Sequence, residues 1–278
     1  MKKPIIIGSV AYDPKVVTIW EGIREYFQAQ PCPIDFILFS NYEAQVEALF
    51  ARSIDVAWNT NLAFVKTDLR LHGQSKVLAM RDTDLEFTSK IVVLAASTMS
   101  ALTDLRGKRI ALGSRDSAQA CIMPDFYLRS NGMRPDVEYE AIRFNTDVGK
   151  HGDTGRSEND VLDAVRSGQA DAGALGESTW IRLVTTGAAA DLRAIWTSPP
   201  YSHCNFTALP DFDDTRACAF VESLLAMDYN NPAHRPILEM EGLKRWVLGS
   251  RGGYAAVFDA VQATGYLHSD GAVASARC

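Results

Sequence analysis

Short apolar runs alternate with longer amphipathic segments along most of this chain. The run IIIGSV at 5–10 predicts a first strand, and IDFILF at 34–39 predicts a second. Between them, apolar residues recur at helical spacing from Val17 to Phe27, with Asp13 and Pro14 as the expected helix start. Strands that alternate with amphipathic helices in this way are typical of an α/β fold with mostly parallel sheets.

The same alternation continues to about residue 198. It predicts, in chain order, helix 42–53, strand 54–58, helix 60–71, strands 75–80, 88–96 and 108–113, a helix that opens near 114–118, strand 138–144, helix 159–168, strand 170–175, helix 177–187 and strand 192–198. The segment SPPYSHC at 198–204 breaks the pattern. The rest of the chain is predicted to be helical, at 221–228, 237–248 and 254–267.

Two segments of the chain resemble each other. Residues 48–57 align without gaps on residues 164–173, and each combines a helix end, a tight turn and a strand that begins with aspartate, Asp55 or Asp171. The two segments are too far apart for a solenoid repeat. The match therefore favours two related α/β halves.

Composition and charge exclude several classes of protein. The 278 residues are 47% hydrophobic and 22% charged, which suffices for one large domain or two of ordinary size. A formal net charge of −6, without a run of lysine and arginine, argues against a nucleic-acid partner. The five cysteines contain no CxxC pair, so neither a disulfide framework nor a structural zinc motif is indicated. We accordingly predict no cofactor and no bound metal.

The N-terminus predicts a strand and not a secretory signal. Its apolar run is shorter than the roughly 7–15 residues of a signal peptide, and no stretch approaches the roughly 20 apolar residues of a membrane span. The sequence as it stands therefore predicts a cytoplasmic protein without a membrane span. A periplasmic location is expected if a leader has been removed.

Five ordered segments resemble the phosphate, phosphite and phosphonate substrate-binding proteins of ABC transporters: IIIGSVAYDP, NYEAQVEALFARSIDVAWNTNLAFV, LTDLRGKRIALGSRDS, GQADAGAL and IWTSPP. The resemblance implies the type II periplasmic-binding-protein fold, in which two α/β lobes enclose a ligand cleft. It places lobe 1 at 1–86 plus 204–278 and lobe 2 at 87–203, with chain crossings near 83–90 and 198–205. It also implies a small polar ligand, and an ABC transporter permease or another protein as partner.

In such a fold, ligands bind beyond the carboxyl ends of the strands. This rule and the two crossings select the candidates for ligand contact, which are Tyr12, Asp13, Trp58, Asn59, Thr60, Asp82, Ser114, Arg115, Asp116, Ser117, Gln119, His151, Thr154, Glu177, Tyr201 and His203. Ser114, Ser117 and the backbone N–H groups from 116 to 119 are expected to cradle an oxyanion, because a helix N-terminus attracts negative charge. Tyr12 and Thr60 are expected to close on the ligand from the first lobe.

Asp116 stands where an anion is expected. The family usually has a run of serine and threonine at this helix start, whereas this chain has Arg-Asp-Ser-Ala at 115–118. A carboxylate repels an oxyanion unless a cation or a proton intervenes. Asp116 is therefore interpreted either as the N-cap of the helix or as a ligand contact, and the ligand as an oxyanion or a zwitterion.

The acidic residues near the first crossing also have two interpretations. Asp82 and Asp84 are solvated turn residues, or they bind a divalent metal or an amine. The partners in the second interpretation are Asp116, His203 and Cys204. Because adjacent residues of a strand point to opposite faces, His203 and Cys204 are not expected to share one metal.

Two functions stay open on the sequence alone. The first is a binding protein that closes two lobes over a small polar ligand, which the lack of a compact catalytic motif favours. The second is a cytoplasmic enzyme on the same fold, of the decarboxylase, lyase or dehydratase type. Its candidate catalytic residues are Asp116, Glu177, His203 and Cys204, with Cys204 either simply buried or a nucleophile paired with His151 or His203.

Overall fold

The computed structural model describes residues 3–267 and residue 271, which divide into two compact units. Among these residues, unit 1 comprises 3–86, 201–255 and 271, and unit 2 comprises 87–200 and 256–267. The segment 256–267 thus groups with unit 2 by its contacts. The lobe boundaries inferred from the sequence stay a prediction.

Both units combine strands and helices, which confirms the predicted α/β class. The elements are, in chain order, β1 (Ile5–Val10), α1 (Lys15–Phe27), β2 (Ile34–Phe39), α2 (Tyr42–Phe50), β3 (Val56–Asn59), α3 (Asn61–Arg70), β4 (Lys76–Val77), β5 (Ala79–Arg81), β6 (Ser89–Leu94), β7 (Arg109–Leu112), α4 (Met123–Ser130), β8 (Glu140–Arg143), α5 (Arg156–Arg166), β9 (Ala172–Gly176), α6 (Glu177–Thr185), β10 (Leu192–Thr197), β11 (Asn205–Ala208), α7 (Asp214–Leu225), α8 (Arg235–Glu241), β12 (Trp246–Leu248) and α9 (Ala255–Ala263). Among the described residues, no helix combines the length and the apolar character that crossing a membrane requires.

The main sheet of unit 1 has the strand order β2-β1-β3-β11-β4. β1 pairs in parallel with β2 and β3, whereas β11 runs antiparallel between β3 and β4. Helices pack on this sheet around the fully buried Phe206, whose ring centroid lies 4.5 Å from that of Trp58 and 5.1 Å from that of Phe220. A second, two-stranded sheet joins β5 to β12.

The sheet of unit 2 has the order β10-β6-β9-β7-β8, in which β6 runs against its two neighbours. Both faces of this sheet are covered. Ile91 and Val93 of β6 belong to one apolar cluster, while Val92, between them in sequence, belongs to the cluster on the other face. Continuous apolar runs, without alternating polar residues, are typical of strands buried on both faces. The strand at 88–96 is therefore predicted from the length of its apolar run, because the run has no two-residue repeat of apolar and polar positions.

The internal sequence match corresponds to one repeated contact. In unit 1, Asp55 Oδ2 accepts a hydrogen bond from Ile6 N at 2.9 Å, and Asp55 N donates to Ile6 O at 2.8 Å. In unit 2, Asp171 Oδ2 accepts from Arg109 N at 2.9 Å, and Asp171 N donates to Arg109 O at 2.8 Å. Each aspartate therefore joins the end of a tight turn to the neighbouring parallel strand and sets the register of that pair.

The structure corrects the sequence predictions at the start of α1 and in the C-terminal part of the chain. α1 begins at Lys15, and its buried face runs through Val16, Ile19 and Trp20, while Val17 is exposed. The C-terminal part is not all helical, because β11 and β12 interrupt it. Strands of four and three residues are too short to show a period, so the pattern could not reveal them.

Leu224 and Leu225 at the end of α7 offer a matched test of the unit 1 core. Leu224 is fully buried in the cluster around Phe206, whereas Leu225 is 39% exposed. We expect Leu224→Ala to lower the free energy of unfolding by about 2–5 kcal/mol through a lost apolar contact and a cavity. Leu225→Ala should cost less than about 1 kcal/mol. Urea unfolding of both variants checks this, and equal losses would contradict the assignment.

Candidate functional site

The helix that follows β7 in unit 2 is capped by Ser117. Its Oγ accepts a hydrogen bond from Ala120 N at 3.2 Å, and its own N–H donates to Ser114 O at 2.8 Å. The first turn, Ala118–Ile122, is π-helical and continues into α4. Leading backbone N–H groups of a helix have no acceptor within it, so this start is suited to an anion. The N-cap interpretation of Asp116 is wrong, because Ser117 takes that position.

Asp116 instead holds the loop 145–155. Its Oδ2 accepts a hydrogen bond from Gly149 N, and the side chain is buried. The neighbouring Arg115 is exposed, and its backbone N–H donates to Asn145 Oδ1 at 3.0 Å. Two consecutive residues at the helix start are thereby tied to the loop.

Asp147 fastens the same loop from within, and sequence reasoning missed it. Its Oδ1 accepts a hydrogen bond from Ser114 Oγ, and its Oδ2 accepts one from Thr154 Oγ1 at 2.7 Å. A signal was present, since Asp147 lies just beyond β8, where the strand-end rule places functional residues. Ser114 and Thr154 therefore brace the loop, and their direct contact with a ligand stays a prediction.

Gly152 brings the loop against the helix start. Its φ is +85°, and an ideal Cβ there would lie 2.5 Å from Ser117 Oγ and 2.7 Å from Gln119 Nε2. The preceding residue, His151, is buried and also has a positive φ, +53°. Left-handed backbone at a residue other than glycine is uncommon and marks a position held by its surroundings. The loop thus packs Gly152 against the helix start, and contact of the adjacent His151 with a ligand stays a prediction.

Glu158, a second residue that sequence reasoning missed, lies beside Gln119. Glu158 Oε1 accepts from Gln119 Nε2 at 3.4 Å, and Oε2 accepts from Gly176 N at 3.0 Å. Burial raises the pKa of Glu158, and hydrogen bonds from Thr179 and Gly176 partly offset this. Glu158 is buried in the first turn of α5, a position that the sequence pattern assigned to the preceding loop.

Two buried polar atoms near this helix start have no hydrogen-bond partner within the described part of the chain. They are Gln119 Oε1 and Ser157 Oγ. An ideal Cβ at Gly113, just past the end of β7, would lie 3.1 Å from Ser157 Oγ, which places that hydroxyl near the strand end. Buried polar groups without partners are rare in folded proteins, so each is a candidate for contact with a ligand.

Glu177 is the first residue of α6 and forms an ion pair with the buried Lys90. Its Oε2 lies 2.9 Å from Lys90 Nζ and accepts a hydrogen bond from Thr88 Oγ1. Sequence reasoning missed Lys90, although a lysine inside the apolar run 88–96 is itself unusual. The pair neutralises the charge of Glu177, and a direct role of Glu177 at a ligand stays a prediction.

In unit 1, the candidates Asn59 and Thr60 lie at the start of α3. Thr60 caps this helix, with its Oγ1 accepting from Ala63 N at 3.3 Å. Gln45 Nε2 donates to Asn59 Oδ1 at 2.8 Å and fixes that side chain. Asn61, which sequence reasoning did not select, has a buried Nδ2 with no acceptor among residues 3–267 and 271. This helix start therefore also offers backbone N–H groups and an amide donor.

Three further unit 1 candidates have different surroundings. Trp58 lies in the apolar core, with its ring centroid 5.6 Å from that of Trp246. Tyr12 is half-buried, and Lys15 Nζ lies 6.0 Å from its ring centroid. Asp13 is exposed, and its Oδ1 accepts from Lys15 N at 2.8 Å, at the start of α1. Their contact with a ligand stays a prediction.

Asp82 and Asp84 differ in their environment. Asp82 Oδ1 accepts from Lys244 N at 3.2 Å near the surface. Asp84 is fully buried, so its interpretation as a solvated turn residue is wrong. Arg81 donates to it from Nε at 2.6 Å and from NH2 at 2.8 Å. Burial opposes ionisation of Asp84, but the charge and hydrogen bonds of Arg81 outweigh it and lower its pKa to about 2.

His203 and Cys204 lie beside Asp84. His203 Nδ1 is 3.5 Å from Asp84 Oδ1 and 3.0 Å from Cys204 Sγ. The two residues precede β11, which begins at Asn205, so the opposite-face argument from strand geometry does not apply to them. Tyr201, on the same segment, is fully buried. The structure thus brings His203, Cys204 and Asp84 together within unit 1.

The contact between Gly152 and the helix start can be tested against Gly155. Both glycines have positive φ, but a Cβ at Gly155 would meet no atom within 4 Å. Alanine at either position costs about 1–2 kcal/mol of backbone strain. Gly152→Ala should cost a further ~1–3 kcal/mol, because its methyl group would displace Ser117 or Gln119. Urea unfolding of the two variants measures the difference, and equal losses would disprove the packing.

The raised pKa of Glu158 predicts a pH dependence of stability. The ionised carboxylate costs stability at neutral pH, and this cost disappears as the pH falls through the raised folded pKa toward the unfolded value of 4.5. Wild type should therefore gain stability relative to Glu158→Gln between about pH 7 and pH 4.5. Unfolding curves across this range check it. The exposed Glu222→Gln serves as control, and an equally flat difference for both variants would contradict the prediction.

A family model described as "ABC transporter, phosphonate, periplasmic substrate-binding protein" matches residues 8–254. The probable ABC transporter phosphite binding protein PhnD1 of Prochlorococcus marinus (strain MIT 9301) is 27% identical over 226 residues, which cover 77% of this chain and 73% of that protein.

Solved structures share the fold. PhnD1 from Prochlorococcus marinus in complex with methylphosphonate has a TM-score of 0.73 and 22% identity, covering 95% of this chain and 98% of that one. A binding protein component of an ABC phosphonate transporter from Pseudomonas aeruginosa has a TM-score of 0.64 and 15% identity, covering 95% and 96%. These likenesses confirm the type II periplasmic-binding-protein fold.

The named relatives are binding proteins, and the enzyme hypothesis finds no support among them. The ligand-binding hypothesis is confirmed at the level of the family. Since the family model spans most of the chain, this protein belongs to the periplasmic substrate-binding proteins of phosphonate ABC transporters.

Proposed function

We propose that this protein binds a small phosphorus oxyanion, of the phosphonate or phosphite class, at the helix start 117–119 of unit 2. The observation that carries the proposal is a pair of buried polar atoms, Gln119 Oε1 and Ser157 Oγ, beside a helix N-terminus, which have no hydrogen-bond partner among residues 3–267 and 271. A hydroxyl donates to an anionic oxygen. An amide oxygen accepts from a protonated P–OH group, which phosphonates and phosphite carry in their monoanionic forms.

The role of Asp116 supports an oxyanion at this position. Its Oδ2 accepts the Gly149 N–H, so part of its charge is compensated by the loop backbone. Ser117 Oγ accepts from Ala120 N, which leaves its own hydroxyl proton to donate. The helix start can therefore present donors to a ligand although a carboxylate stands next to it in sequence.

The relatives support the ligand class. PhnD1 is named as a phosphite binding protein, and its structure was solved with methylphosphonate. The remaining sequence candidates, including Tyr12, Asn59 and Thr60 in unit 1, stay predicted ligand contacts. That the two lobes close over the ligand, and that a zwitterionic ligand is also bound, stay predictions as well.

The proposal extends to partner and location. A substrate-binding component of an ABC transporter delivers its ligand to the permease, and we infer a permease as the protein partner. The family description places such proteins in the periplasm, which favours the periplasmic over the cytoplasmic prediction.

Isothermal titration calorimetry with methylphosphonate and with phosphite tests the ligand site. Ser117→Ala should weaken binding of the better probe by about 1.5–3 kcal/mol, the usual value of one hydrogen bond to a charged group. This corresponds to at least about tenfold in Kd. Ser130→Ala, at the far end of the same helix, is the matched control and should leave Kd unchanged.

Because Ser117 also caps the helix, unfolding of each variant without ligand separates lost stability from lost affinity. An unchanged Kd in Ser117→Ala would remove this helix start from the site. No measurable binding of either probe to wild type would overturn the proposed ligand class.

A further inference from the structure

Unit 1 contains a compact group of three different metal-binding side chains. The donor atoms of Asp84, His203 and Cys204 all lie within 4.8 Å of one another. All three side chains are buried, with exposures of 5% or less. Burial removes the water that would hydrate these donor atoms. Contacts with each other or with a bound ligand must therefore offset the free energy of the lost hydration.

The spacing of the donors suits tetrahedral zinc. Typical Zn–S, Zn–N and Zn–O lengths place neighbouring donors of a tetrahedron roughly 3.3–3.6 Å apart. His203 Nδ1 lies 3.5 Å from Asp84 Oδ1, within that range, and 3.0 Å from Cys204 Sγ. Metal binding therefore requires the sulfur and the nitrogen to separate by only about half an ångström.

Arg81 orients the carboxylate. Its Nε donates to Asp84 Oδ2 and its NH2 donates to Asp84 Oδ1, which fixes Oδ1 beside the imidazole. A hydrogen-bonded partner behind a ligating carboxylate is a regular feature of metal sites. Arg81 is itself packed against Trp58, whose ring centroid lies 5.4 Å from the guanidinium carbon.

The charge of the group favours a cation. Arg81 also contacts a second carboxylate, with its NH1 3.4 Å from Glu241 Oε1. Two carboxylates and one guanidinium give these residues a formal charge of −1 before the Cys204 thiol ionises. A divalent cation brought into this apolar surrounding would therefore meet opposite charge, which offsets its desolvation.

We propose that Asp84, His203 and Cys204 form a Zn²⁺-binding site in unit 1. A thiolate, an imidazole and a carboxylate together select zinc over magnesium or calcium, which prefer oxygen donors alone. On binding, Zn²⁺ replaces the thiol proton of Cys204, which passes to solvent, and takes the lone pair of His203 Nδ1. Three protein ligands leave a fourth position for water or another small ligand.

This proposal departs from the sequence expectation of no bound metal and takes up part of the alternative, a divalent metal at the acidic residues near the first crossing. That expectation rested on the absence of closely spaced cysteines, whereas these ligands come from two segments more than a hundred residues apart. The fold brings them together, since His203 N donates to Asp84 O at 2.9 Å between the two segments.

The test uses the full chain, stripped of metal with a chelator and then titrated with Zn²⁺ and, separately, with Co²⁺. We expect one equivalent of tightly bound Zn²⁺ by elemental analysis after dialysis, and a thiolate-to-cobalt charge-transfer band in the near ultraviolet. Cys204→Ser should abolish the band and weaken Zn²⁺ affinity by more than the roughly tenfold that follows loss of an outer partner. The exposed Cys218→Ser is the matched control and should retain both. Cys278→Ser, outside the described residues, controls for the remaining terminal thiol.

His203→Gln provides a second variant, with circular dichroism to show that each variant is folded. Less than about a tenth of an equivalent of Zn²⁺ in wild type, or no thiolate band with Co²⁺, overturns the proposal whatever the variants do. A band that survives Cys204→Ser but disappears in Cys218→Ser or Cys278→Ser also overturns it. Zinc is titrated without phosphonate or phosphite, so failure here leaves the oxyanion site unaffected.

Discussion

The proposed oxyanion site depends on two buried carboxylates that hold a loop against a helix start. Asp147 accepts hydrogen bonds from Ser114 and Thr154, and Asp116 accepts one from Gly149. Ordering a loop of this length lowers its conformational entropy, which opposes folding. The carboxylates offset that cost, and their own charge is compensated by loop donors. An acidic residue next to an anion site is therefore consistent with anion binding when its oxygens accept hydrogen bonds from backbone N–H groups.

The sequence predicted most strands and helices of both units because their apolar patterns are long enough to show a period. It also predicted the segments of the candidate site, because the strand-end rule depends only on where each strand stops. It could not predict how individual polar side chains are used. Glu177 pairs with Lys90 from a neighbouring strand, and Asp116 pairs with a distant loop, and both contacts exist only after folding.

The second limit of sequence reasoning is length. β11 has four residues and is buried between two strands, so it has neither a visible period nor exposed polar positions. Missing this strand also misplaced His203 and Cys204, which were assigned to opposite faces of a strand that in fact begins one residue later. The sequence left their neighbour Asp84 as either a solvated turn residue or a ligand, because its partner Arg81 is half-buried through contacts, with β12 and α8, that exist after folding.

The aspartates that join turn and strand in each unit have a consequence for how such a protein can evolve. Asp55 and Asp171 form hydrogen bonds with backbone groups of the neighbouring strand, and every residue except proline has the same backbone groups whatever its side chain. These backbone hydrogen bonds require an aspartate at one position per unit and do not depend on the side chain of Ile6 or Arg109. If the two units descend from one ancestral segment, this contact is the part of that ancestor that substitution elsewhere does not erase. The pairing of these two strands in each unit can therefore persist after the sequences of the two units have lost their similarity.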